Sequence, residues 1–262
     1  DSLEAAIEAR IGEPWQRPTG AHVGRVIEDA GAREKYIAHL LSSVDISLTG
    51  ITVVVDCANG AASFVAPIAL EKAGATVIAV ANTPNGLNIN DGVGSTHLDF
   101  LREAVLKNNA DIGIAHDGDA DRCLAIDAQG NVIDGDFILA ILAQGFKSRG
   151  KLTDSTVVAT VMSNLGFLSA MKSADINVIK TSVGDRYVLE NMLENNYSLG
   201  GEQSGHIIMR DFAGTGDGLL TALQLIAQMA HTKKSLNDLA KIMTRFPQVL
   251  INVSGVAKEK LD

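Results

Sequence analysis

A chain of 262 residues with 46% hydrophobic residues has the length and apolar content for two α/β domains of ordinary size, each with its own core. Its net charge of −9 and lack of any basic run exclude nucleic acid as a partner, because backbone phosphates need clustered cations. No apolar run approaches the roughly 20 residues that cross a bilayer, and the opening DSLEAAIEAR has neither the basic start nor the apolar stretch of a secretory leader.

Two cysteines, Cys57 and Cys123, are too few for a disulfide framework and have no cationic neighbour to activate them. They are expected to be small buried residues in a reducing cytoplasm. There is no initiator Met, which reads as the interior of a longer protein.

Residues 1–31 contain Pro14, Pro18 and several glycines and are expected to be the tail of a preceding domain. A first repeat of elements follows. ITVVV (51–55) is a β-branched strand, DCANGAAS a turn, and the stretch to Ala73 a helix. TVIAVA (76–81) is a second strand, HLDFLREAVLKN (97–108) an amphipathic helix, DIGIA (111–115) a third strand and RCLAID (122–127) a fourth. AQGN is a turn, and a helix begins near Asp136, whose carboxylate suits an N-terminal turn.

The order then recurs after the polar stretch FKSRGKLTDS (146–155), a natural junction. Strands are expected at 156–160, 177–181, 198–201 and 206–211, and helices at 164–174, 184–196 and 216–230, with Asp217 in the first turn of the last. Strands alternating with helices indicate two tandem three-layer αβα domains with mixed, mostly parallel sheets. The expected limits are 32–148 and 149–250, with 251–262 starting a linker to a further domain.

Chemistry concentrates at two loops. His116-Asp117-Gly118-Asp119-Ala120-Asp121-Arg122 follows the strand DIGIA. Carboxylates at i, i+2 and i+4 of an extended segment share one face. They repel, so a proton or a cation must relieve them, and small clusters of hard oxygens suit one Mg²⁺ ion. Arg122 adds a planar fork for phosphate. An EF-hand fails, since loop position 6 would be Arg122 and position 12 Ala128. The bland alternative is a polar turn whose aspartates simply tolerate the bend. His116 cannot compete with three carboxylates for Mg²⁺ and is read as their neighbour.

The second loop is Gly200-Gly201-Glu202-Gln203-Ser204-Gly205-His206. Its glycines allow close backbone approach, while Glu202, Ser204 and His206 alternate to one side. A carboxylate beside a hydroxyl is suited to vicinal sugar hydroxyls, accepting with one group and doing both with the other. A glycine-rich hairpin with a solvated Glu fits the residues equally well.

Taken together, the two loops resemble the α-D-phosphohexomutase family, whose metal loop reads DGDGDR and whose sugar loop reads GE(M/Q)SGH. VVVDCANGAAS (53–63), GSTHL (94–98), TSVGDRYV (181–188) and TGDGLL (215–220) extend the likeness over nearly the whole chain. Gln203 in GGEQSGH points to the members acting on glucosamine phosphates. Ala120 departs from the family's glycine but leaves every ligand in place.

The resemblance implies a four-domain enzyme, of which this chain holds the second and third. The family's phosphoserine motif, TASHNP, and its last-domain phosphate loop, RxSGTEP, do not occur in the sequence, so the chain alone is expected to be inactive. Asp117, Asp119 and Asp121 would be the Mg²⁺ ligands, with a phosphoserine oxygen as the fourth. Arg122 would lie near the transferring phosphoryl group, and Glu202 and Ser204 would contact sugar hydroxyls. His206 would serve as a proton-transfer or orienting group, and Asp185 and Arg186 would lie near the substrate.

The implied reaction interconverts glucosamine 6-phosphate and glucosamine 1-phosphate through a 1,6-bisphosphate, on the route to UDP-N-acetylglucosamine and cell-wall precursors. The alternatives are mannose or glucose phosphates on the same scaffold, or a non-catalytic module that binds sugar phosphate. The partner is a small sugar phosphate, and the chain is expected to be a monomer or a homodimer.

Overall fold

The protein is described from a computed structural model, in which residues 2–249 and 251 are placed. The linker expected at 251–262 therefore lies, from 252 onward, outside the described residues. The chain divides into two units between Ala32 and Arg33. The first contains helix α1 (Ser2–Arg10), which buries none of its residues. Its end is closed by Trp15, whose indole N–H donates to the Arg10 carbonyl at 3.2 Å beneath the Arg10 guanidinium.

The second unit holds two sheets. Val53, Val54 and Val55 are wholly buried, as a continuous β-branched run requires when both faces of its strand are covered. They lie in the central strand β1 (Thr52–Asp56), which pairs in parallel with β2 (Thr76–Val80) and β3 (Ile112–Ala115). Strand β4 (Leu124–Asp127) runs antiparallel to β3, and β5 (Val132–Ile133) antiparallel to β4, giving the order β2-β1-β3-β4-β5. The second sheet repeats the pattern. Its strands β6 (Thr156–Thr160), β7 (Asn177–Thr181), β8 (Leu199–Gly201) and β9 (Ile207–Met209) lie in the order β7-β6-β8-β9, with only β8–β9 antiparallel.

The helices are α2 (Ala32–Ser42), α3 (Ala66–Lys72), α4 (Leu98–Asn108), α5 (Gly135–Ser148), α6 (Leu165–Ser173), α7 (Asp185–Asn195), α8 (Gly218–Thr232) and α9 (Leu236–Ala240). Side-chain alternation along β1 separates two cores. Val54 joins Leu101, Val105 and Ile126 under α4, and on the second sheet Val158 joins Val188, Met192 and Ile208 under α7. Val53 and Val55 belong instead to one cluster that includes Leu139 and Leu142 of α5, Leu220 and Leu223 of α8, and Val157 and Phe167 of the second sheet's side. The two sheets thus share a central apolar layer, in which α5 packs on α8. No described helix is long and apolar enough to cross a membrane.

Most expected elements are present to within two residues at each end. Helices α1, α2 and α9 and strand β5 have no counterpart among the expected elements. The sequence of α2, AREKYIAHLLS, buries only Ile37 and Leu40, too few apolar positions to announce a helix. It is held by distant partners: Tyr36 Oη donates to Asp217 at 2.9 Å, His39 Nε2 lies 2.9 Å from the Phe212 carbonyl, and Gln224 donates to the Ser43 carbonyl at 2.7 Å.

Candidate functional site

The acidic loop is a turn, not the extended segment that alternation assumed. Ala120 N–H donates back to the Asp117 carbonyl at 3.1 Å, and Ala120 takes the left-handed conformation with φ of +63°. The turn still gathers the three carboxylates, with one oxygen from each of Asp117, Asp119 and Asp121 within 4.8 Å of the others. It is seated from below. Ala61 N–H donates to the Gly118 carbonyl at 2.8 Å, and Ser95 N–H to the His116 carbonyl at 2.8 Å.

Those seats are themselves fixed by Asp56 at the end of β1. Its carboxylate accepts from Ala58 N–H at 2.9 Å and Gly94 N–H at 2.8 Å. Burial pushes the Asp56 carboxyl up, against the pull of the two donors. Nothing in the sequence analysis singles out Asp56, although a carboxylate directly after Val53–Val55 is the available signal. His116 Nδ1 lies 3.0 Å from the Arg122 carbonyl, so it must be the donor. Its Nε2 is buried without a partner, and burial lowers its pKa. His116 is therefore a neutral brace across the loop.

Electrostatically the cluster is under load. Burial first, then the Asp117 and Asp119 charges, push the Asp121 carboxyl up to about 6. Arg122 Nε stands 3.6 Å from Asp117 and 3.9 Å from Asp121, close enough for attraction but too far for a hydrogen bond. Asp121 Oδ1 is buried with no partner. Three converging carboxylates, one with an orphaned oxygen, and a single neighbouring cation make a donor set that fits a metal ion.

The second loop is joined to the first by backbone pairing. Arg122 and His206 form an antiparallel bridge, Cys123 N–H donates to the Gly205 carbonyl at 3.0 Å, and Gly218 N–H donates to the Ala120 carbonyl at 2.9 Å. The loop turns between Glu202 and Gly205, where Gly205 N–H donates to the Glu202 carbonyl at 3.0 Å. Gly205 has φ of +96°, and a Cβ there would lie 2.5 Å from the Cys123 carbonyl oxygen, so only glycine fits.

His206 is almost wholly buried, and its Nε2 lies 3.7 Å from both Asp121 and Asp185. Glu202 accepts from Gly184 N–H at 3.0 Å, which ties the GGEQSGH loop to the start of α7. Asp117, Asp119, Asp121, Arg122, Glu202, His206 and Asp185 are thus one connected group. Ser204 is exposed at the turn. The Arg186 guanidinium is turned along α7 to Glu190 at 2.8 Å. A cavity of about 340 Å³ beside the triad is lined by Tyr36, Ala61, Asp119, Asp121, Asp217 and Leu219. Asp217 caps α8, accepting from Leu220 N–H at 2.9 Å while holding Tyr36.

Cys57 and Cys123 are both buried and unpaired. Burial pushes the Cys57 thiol up to about 12 and the Cys123 thiol higher still, so neither is a nucleophile.

Comparison with known proteins gives this group its context. Residues 34–130 match the second alpha/beta/alpha domain of phosphoglucomutase/phosphomannomutase, and residues 134–246 match the third. The phosphoglucosamine mutase of Paenarthrobacter aurescens (strain TC1) is 56% identical over 260 residues, which are 99% of this chain and 57% of that protein. The phosphoglucosamine mutase of Leifsonia xyli subsp. xyli (strain CTCB07) is 58% identical, over 98% of this chain and 56% of that protein. The chain thus spans just over half the length of these curated relatives.

Among solved structures, a phosphoglucomutase/phosphomannomutase family protein from Burkholderia thailandensis superposes with a TM-score of 0.70 at 24% identity, over 83% of this chain and 47% of that one. The Aspergillus fumigatus N-acetylphosphoglucosamine mutase, solved with GlcNAc-6P and magnesium, gives 0.66 at 19% identity, over 82% and 50%. At those identities the structures attest the fold. With both of its domains matched in order, the chain belongs to the phosphoglucomutase/phosphomannomutase family and carries that family's second and third α/β/α domains.

Proposed function

We propose that these two domains are the metal- and sugar-binding half of a mutase that interconverts glucosamine 6-phosphate and glucosamine 1-phosphate. The observation that carries this reading is the Arg122–His206 bridge, which holds the acidic loop and the GGEQSGH loop against each other. The names and 56–58% identities of the relatives support glucosamine phosphate over other hexose phosphates. We place the division between the domains at the end of α5, as 32–148 and 149–250, on the polar composition of 146–155.

Asp117, Asp119 and Asp121 would hold one Mg²⁺ ion, which when bound supplies positive charge to the transferring phosphoryl group. Phosphoryl transfer asks the protein mainly for positioning and charge stabilisation. Arg122, whose side chain is 42% exposed, offers its free guanidinium edge to phosphate. Glu202 and Ser204 would bind sugar hydroxyls, and Asp185 orients His206. The sugar oxygen that accepts a phosphoryl group must lose its proton, and His206 Nε2 is assigned to take it up. The phosphoryl carrier, by the family resemblance a phosphoserine, is outside this sequence.

Kinetics of the full-length parent enzyme on glucosamine, glucose and mannose 6-phosphates test the reading. Turnover highest on glucosamine 6-phosphate, and reduced about 100-fold or more in His206→Asn, is expected. Equal or better turnover of glucose or mannose phosphate would sink the substrate assignment. The 262-residue chain by itself should show no turnover.

A further inference from the structure

The sugar loop has two sides, and only one faces the acidic cluster. Its backbone lies on the first turn of α5. Gly135 N–H donates to the Gln203 carbonyl at 3.0 Å. A Cβ on Gly135 would stand 2.2 Å from the Glu202 carbonyl oxygen and 2.6 Å from Gly205 N. The turn Glu202–Gly205 therefore rests on bare α5 backbone, and wherever that first turn goes the sugar loop goes with it.

The first turn of α5 is capped by Asp134, whose carboxylate accepts from Phe137 N–H at 3.2 Å. The other oxygen of the same carboxylate is ion-paired with Arg245, whose guanidinium also lies 5.6 Å from the Phe137 ring centre. Arg245 comes from a segment more than one hundred residues away in sequence. Asn164 clamps that segment, accepting from Phe246 N–H at 2.9 Å and donating to the Phe246 carbonyl at 2.8 Å. Gln248 then donates to the Met162 carbonyl at 3.0 Å. Between Arg245 and the sugar loop lies a cavity of about 580 Å³, lined by Asp134, Asn164, Gln203, Arg245 and Gln248 among others. Glu202 reaches Gly184 on the substrate side, whereas Gln203 lines this rear cavity.

We infer that Arg245 is a positioning residue for the sugar-binding loop, acting through Asp134 and the first turn of α5. This rests on the mutase reading only where turnover is the readout. Arg245 touches no group of the acidic cluster, and its fork braces the α5 cap against the clamped segment. The loop, carried on that cap, keeps Glu202 in register with the triad, while His206 is held separately by its bridge to Arg122.

Two arms test this. In the 262-residue chain, without substrate, amide hydrogen exchange is followed in Arg245→Ala and in Gln248→Ala, which loosens the clamped segment without touching Asp134. Arg245→Ala should speed exchange in the peptide 199–207 by about fivefold, the scale of one half-exposed charged hydrogen bond, with 112–115 unchanged. Gln248→Ala should speed 244–249 alone. Unchanged 199–207 in Arg245→Ala, or acceleration there in Gln248→Ala as well, would overturn the assignment. Should Arg245→Ala fail to fold, Arg245→Lys keeps the cation, and its smaller acceleration must stay within 134–138 and 199–207; a general acceleration overturns it.

In the full-length enzyme, Arg245→Ala should raise KM several-fold and leave kcat within about twofold, because a loosened loop loses uniform binding. A fall in kcat at constant KM overturns the assignment. A parent with no turnover of any hexose phosphate would refute the mutase reading, yet the exchange arm would still decide the role of Arg245.

Discussion

Ala120 shows how one backbone angle explains a residue choice. It sits between Asp119 and Asp121 with φ of +63°, where a Cβ costs about 1–2 kcal/mol. The glycine usual in the family removes that penalty but adds about 0.4–1 kcal/mol of chain entropy to the unfolded state. The first effect wins. Ala120→Gly should therefore stabilise the protein by about 0.5–1 kcal/mol in urea melts, with the midpoint moving and the slope unchanged. A loss of stability would mean that the methyl makes contacts worth more than the strain.

The three aspartates were legible because acidic residues at every second position are costly unless something needs them together. Their exact partners were not. The 3.7 Å approach of His206 to Asp121 and Asp185 joins residues far apart in sequence. No spacing rule along the chain reports it.

At the scale of the element, α5 carries an unusual load. It is almost wholly buried, and Asp136 in its first turn is fully so. One oxygen of Asp136 accepts from Asn164 N–H at 2.7 Å, and the other is orphaned. Burial, helped by Asp134, pushes the Asp136 carboxyl up from 3.8 to about 6. A carboxyl raised in the folded state binds its proton more tightly there than in the unfolded chain. Its contribution to stability is thus full below about pH 4 and declines as pH rises through 6, by up to about 3 kcal/mol.

Asp136→Asn keeps the acceptor for Asn164 and cannot ionise. Across pH 4–6.5 its stability should fall less steeply than that of the wild type, measured by denaturant titration at each pH. Parallel curves would remove Asp136 as the cause. The sequence placed a carboxylate near the start of this helix and expected it to serve the helix dipole. The cap is instead Asp134, and Asp136 points inward because the helix lies between two sheets.

For the molecule as a whole, the shared apolar layer has a mechanical consequence. Leu139 and Leu142 of α5 and Leu220 and Leu223 of α8 belong to the same cluster as Val53, Val55, Val157 and Phe167. Melting one sheet would strip the other of its inner cover. Residues 33–249 should therefore unfold in one calorimetric transition, despite containing two sheets. Leu139→Ala, which opens a cavity costing about 2–5 kcal/mol in that layer, should lower this transition as a unit. Two resolved peaks, only one of them shifted, would show that the sheets melt independently.

Most of the strand and helix order, the two polar loops and the mixed α/β class could be read from the residues alone. Each depends on local periodicity, turn chemistry and charge spacing, which act over a few residues. Helix α2 escaped that reading because its supports, Asp217, Phe212 and Gln224, are contributed from the far end of the chain. The same holds for Asp56 beneath the acidic loop, for the bridge between Arg122 and His206, and for Arg245 behind the GGEQSGH loop. These contacts exist only because closing the two sheets over one core brings distant segments to the same edge, and that closure is a property of packing with no period in the sequence.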